Sequence, residues 1–74
     1  MKQVHFIHVC LLEGTVLEHC TLLVNKDQPI VEQVLKQVIT GDDKDFIIND
    51  LLGQFKQIQN QFVFRTEETL YTIF

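Results

Sequence analysis

The sequence predicts an α+β domain in which a four-stranded antiparallel sheet carries two helices on one face, in the order ββααββ. Three observations predict it. Two strand-like runs, Val4–Leu12 and Thr15–Asn25, meet at Glu13-Gly14; two apolar stripes at helical period follow; and Gln61 to Phe74 alternates again around Glu67-Glu68. At 74 residues the chain makes one domain, 1–74, near the size at which a single core is just large enough to hold a fold.

In the first run the apolar residues occupy both parities, with Val4, Phe6, Cys10 and Leu12 on one face and Ile7, Val9 and Leu11 on the other. A strand solvated on one side would alternate cleanly, so this one is expected to be covered on both. The second run behaves alike, setting Val16, Cys20, Leu22 and Val24 against Leu17, Thr21 and Leu23, and Gly14 supplies the positive φ of a tight hairpin with a loop of two to four residues. Asn25-Lys26-Asp27 breaks the pattern, and Asp27 or Gln28 is placed to cap a helix that Pro29 begins.

Ile30, Val31, Val34, Leu35, Val38 and Ile39 form one helical stripe, with Glu32, Gln33, Lys36 and Gln37 on the solvent side and Gly41 as the stop. Asp42, Asp43 and Asp45 suit the start of a second helix, because carboxylates there meet free N–H groups. Its apolar set is Ile47, Ile48, Leu51, Leu52, Phe55 and Ile58, with Gly53 marking either a close helix–sheet contact or an earlier end. In the closing hairpin Phe64 is expected opposite Tyr71 and Phe62 opposite Ile73, and the helices should rest on that aromatic face.

The opening hairpin-then-helix order resembles, in topology and as far as about residue 40, that of ubiquitin-like β-grasp domains. The chain ends in Tyr71-Thr72-Ile73-Phe74 without the Gly-Gly tail of their carrier members, so the resemblance does not imply conjugating activity.

Composition excludes several function classes. A hydrophobic fraction of 46% with 22% charged residues is that of a packed domain, not a disordered chain. The net charge of −4, with Lys2, Lys26, Lys36, Lys44, Lys56 and Arg65 scattered singly, argues against gripping a phosphate backbone, so no nucleic acid is expected as a partner. Val4–Leu12 is too short to span a bilayer and ends at Glu13 with no small-residue cleavage site, which predicts a cytoplasmic protein without a membrane partner. Two cysteines in a reducing compartment read as free thiols.

Chemistry-bearing residues cluster in the first hairpin, which holds His5, His8, His19, Cys10 and Cys20. His8 and Cys10 share a strand face, joined by Cys20 and Glu18 if opposed residue numbers sum to an even value or by His19 if odd; either register offers the three donors of a metal centre, for which His8, Cys10 and Cys20 are the candidate ligands. Packed thiols with edge histidines are the stronger reading, because Val4, Phe6 and Leu12 occupy the same face and no C-x-x-C pair is present. The chain has no serine, no nucleophile elbow and no Gly-rich loop, and His19 points away from its neighbour Cys20 across the strand, so no enzyme and no cofactor are expected. The run Asp42-Asp43-Lys44-Asp45 lacks the spacing of a calcium loop and is explained by the helix start.

The strongest functional signal is the second apolar face of the sheet. With helices on one side, Ile7, Val9, Leu11, Leu17 and Leu23 would lie against water, and contiguous apolar surface of several hundred Å² marks an association site. The sequence therefore predicts a small acidic protein–protein interaction module, an adaptor or an inhibitor of the kind mobile elements encode, acting as a homodimer on a protein partner. The alternative is a metal- or thiol-dependent sensor using the histidines and cysteines of the hairpin.

Overall fold

The computed structural model describes residues 1–74. The chain runs β1 (Lys2–Cys10), β2 (Thr15–Val24), α1 (Ile30–Val38), α2 (Lys44–Leu52), β3 (Lys56–Ile58), β4 (Gln61–Arg65) and β5 (Thr69–Ile73). The five strands form one sheet in the order β2-β1-β5-β4-β3, every pair antiparallel, so the domain is α+β with five strands where four were expected. No helix is long and apolar enough to cross a membrane.

The extra strand comes from residues expected to finish the second helix. The helix stops at Leu52, Gly53 keeps a helical φ of −78°, and a Cβ there would meet nothing within 4 Å, so this glycine marks the helix end and not a close contact. Phe55 then turns into the core, and Lys56–Ile58 pairs with Val63–Gln61 across the turn Gln59-Asn60, where Gln59 takes φ 57°. The spacing of three between Phe55 and Ile58 suits a helical stripe, whereas the strand leaves Phe55 against the core and Ile58 56% exposed. The open backbone edge of β4 decides between them, because pairing there satisfies N–H and C=O groups that a frayed helix end would leave to water.

The first hairpin follows expectation, with Gly14 at φ 69° closing a four-residue turn and its N–H donating to the Cys10 carbonyl at 2.8 Å. At the other end of the chain Phe64 opposes Tyr71 and Phe62 opposes Ile73. Thr66 holds that turn, its Oγ1 accepting from the N–H groups of Glu68 and Thr69.

Helix α1 begins at Ile30 without a side-chain cap from Asp27 or Gln28. Gln33, expected on the solvent side, supplies the bonds instead. Its Oε1 accepts from Asn25 N–H at 2.7 Å, and its Nε2 donates to the Asn25 carbonyl at 2.8 Å, locking the β2–α1 connection from inside the helix. The core lies between α1 and the first hairpin: Val34 packs with Val4, Phe6, Val24 and Ile73, all at least 98% buried, and Cys20, Leu22, Phe55, Phe62 and Tyr71 flank them. Helix α2 sits at the margin, burying only Ile48, while Phe46 is 77% exposed and Ile47, expected inside, stands 39% exposed.

Candidate functional site

The register of β1 on β2 sorts the hairpin's side chains. From Lys2↔Val24 to His8↔Glu18 the opposed numbers sum to an even value, and a bulge between His8 and Val9 then shifts the pairing to Val9↔Val16 and Cys10↔Thr15. Val4, Phe6, His8, Cys20 and Glu18 therefore share the helix-covered face with Ile73 and Tyr71 of β5. His5, Ile7, Val9, His19, Thr21 and Leu23 occupy the other face, joined by Val16 as the partner of Val9 and by the bulge residue Leu17.

On the covered face the sulfur and imidazole groups are spread out. Cys20 opposes Phe6 and Cys10 opposes Thr15, and nowhere do three or more His, Cys, Asp or Glu side chains come together in a metal-holding group. His8, Cys10 and Cys20 are thus not assembled, and both thiols are free. His8 instead stacks on Tyr71 with ring centroids 4.2 Å apart, and Tyr71 stacks in turn on Phe64 at 5.8 Å, an aromatic ladder across β1, β5 and β4. Burial raises the Tyr71 phenol above its ordinary value, and the Glu18 carboxylate adds to the shift. The Cys20 thiol is raised by the same two causes in the same order, which keeps it a thiol and not a reactive thiolate.

A cavity of about 180 Å³ lies between this face and the helices, lined by Phe6, His8, Leu35, Ile47, Leu51 and Tyr71 among others, with Glu18 as its one carboxylate. His8 Nε2 is closed to solvent and has no hydrogen-bond partner.

The helix-free face is the larger feature. Leu17 and Leu23 are 57% and 59% exposed, Val16, Ile58 and Phe74 stand out to a similar degree, and Ile7, Val9, Val63 and Leu70 are half-buried between them. Leu11 lies just past β1 in the turn, half-buried, its N–H donating to the Glu68 carbonyl at 2.8 Å. Of the five residues singled out for partner binding, Ile7, Val9, Leu17 and Leu23 share this face and Leu11 sits at its end.

Near the β2 edge of this face is a group that strand-by-strand reading passed over. His5 and His19 are diagonal neighbours with ring centroids 5.8 Å apart; His5 also stacks on Phe74 at 5.1 Å and meets Thr21 Oγ1 through Nδ1 at 3.4 Å. The even register alone brings them to one face, and nothing in their spacing of fourteen residues announces it.

The sheet's outer edge is partly closed. His5 exchanges both backbone bonds with Phe74, at 2.7 and 3.0 Å, so the odd residues of β1 address β5 and its even residues address β2. The odd residues of β2 then face outward. Gln37 Nε2 donates to the Leu23 carbonyl at 3.2 Å and Gln33 covers Asn25, whereas His19 and Thr21 keep an open edge.

Comparison with family models, with curated proteins and with solved structures returned no match.

Proposed function

We propose that this chain is a non-enzymatic protein–protein interaction module of the cytoplasm, acting as a homodimer through the helix-free face of its sheet and serving as an adaptor or inhibitor that occupies a partner's surface. The observation that carries this reading is the apolar surface of Ile7, Val9, Leu17 and Leu23, continued by Val16, Leu70 and Phe74, on a side of the sheet that no helix covers. Apolar side chains laid out contiguously on a folded surface favour association because water released from them lowers the free energy of the complex. Only seven of 74 residues are fully buried, so covering this face would add substantially to a small core. An isologous pairing, face on face, covers it on both copies at once.

Sedimentation velocity across a hundredfold concentration range tests the dimer. A concentration-dependent shift from the mass of one chain to that of two is expected; a strictly monomeric species would remove it.

A further inference from the structure

We propose that His5 and His19 form a two-imidazole half-site for a divalent transition metal of the zinc or nickel type, completed by the same pair from a second copy of this chain. The inference rests on the face-to-face homodimer above. The two rings project from adjacent strands on the helix-free face with centroids 5.8 Å apart and planes at 48°. Two imidazoles on one tetrahedral zinc, at Zn–N distances of about 2.0–2.1 Å, hold their centroids roughly 5 Å apart, so a small rotation of the exposed His19 closes the pair on a shared ion.

The neighbours prepare His5 for that role. Phe74 stacks on its ring, and Thr21 Oγ1 engages Nδ1, leaving Nε2 as the nitrogen for the metal; an outer partner on the second ring nitrogen is what orients metal-bound histidines in general. Ligands of imidazole type suit zinc, copper and nickel and not calcium or magnesium, which take oxygen.

One copy supplies two ligands, and a structural zinc takes four. A two-fold axis passing through the ion doubles two histidines to four. Sheets stacked face to face lie about 10 Å apart, which places the midplane about 5 Å from each, within reach of an imidazole. Ile7, Leu17 and Leu23 flank the pair on the same face and would border the ion. This centre is separate from His8, Cys10 and Cys20, which stand on or near the opposite, helix-covered face.

Tag-free, metal-stripped protein titrated with zinc chloride and then nickel chloride tests the proposal by calorimetry, with sedimentation velocity at matched concentrations. Expected are one zinc per two chains and a dimer dissociation constant lowered at least about tenfold by zinc. In His5→Phe, which keeps a ring against Phe74, and in the exposed variant His19→Gln, the ratio of the constants with and without zinc should fall to about one. A circular-dichroism melt establishes that each variant is folded. A dimer that forms without metal and ignores zinc overturns this inference and leaves the dimer standing. A monomer at all concentrations, with and without zinc, overturns both. Zinc bound one to one without association, or a zinc response surviving in the His5→Phe/His19→Gln double variant, overturns the four-imidazole bridge.

Discussion

The two faces of the β1–β2 hairpin are built from the same kinds of residue and meet different surroundings. Val4, Phe6 and Val24, with Ile73 of β5 beside them, stand under α1 and are closed to water, while Ile7, Val9, Leu17 and Leu23, one residue out of phase, have only their own neighbours for cover. Hydrophobicity alone does not distinguish them. The difference comes from chain connectivity, because α1 follows β2 directly and Gln33 ties its first turn back to Asn25, which commits the helix to one side of the sheet. One face thereby becomes core and the other becomes surface available for association.

Substitutions on the two faces should therefore fail in different ways. Phe6→Ala on the covered side should cost about 3–5 kcal/mol, enough to leave a domain of this size largely unfolded, as read by urea denaturation. The double variant Leu17→Lys/Leu23→Lys should leave the fold intact, with a thermal midpoint within a few degrees, and weaken self-association by about tenfold or more in sedimentation. A large loss of stability in that variant would mean that this face is packed within one chain.

Gln33→Ala tests what commits α1 to its side. It removes the bonds to both backbone groups of Asn25 and should lower stability by about 1–2 kcal/mol in chemical denaturation, a large effect for a helix-surface glutamine. A smaller change of opposite sign is expected for Gly53→Ala, which should raise stability by about 0.4–1 kcal/mol, because Gly53 has a helical φ and open space around its missing side chain.

The smallest effect is confined to alkaline solution. Tyr71 is raised in the folded chain by burial and then by Glu18, so the unfolded chain gives up its phenolic proton first. The stabilisation from keeping it neutral is complete below the ordinary value of 10.0 and is lost as pH rises through the folded value. Cys20 contributes with the same sign from 9.0 upward. Tyr71→Phe should leave the melting curve at neutral pH nearly unchanged and flatten the decline above pH 10, with the part due to Cys20 remaining; an unaltered alkaline slope would show that the phenol is hydrated.

Much of this could be read locally. Gly14 at the first turn, the stripe from Ile30 to Val38, and the facing of Phe64 with Tyr71 each rest on interactions within about ten residues, where φ preferences and side-chain period leave little choice. The fifth strand could not be read so, because Phe55 and Ile58 are spaced for a helix and only the edge of β4 draws Lys56–Ile58 into the sheet. Gln33 was equally hidden, since an amide on a helix looks solvated until the strand end it reaches is in place.

What the sequence determined by itself is the set of elements and the two-sided hydrophobicity of the first hairpin, since short-range sterics and the periods of helix and strand are written residue by residue. What only the tertiary structure decided is which parity turns inward. That choice depends on the register of β1 on β2, a matter of one residue, and on the side to which α1 is tied. It sends His8 into a stack on Tyr71 and brings His5 and His19 together on the uncovered face, beside the sheet's β2 edge.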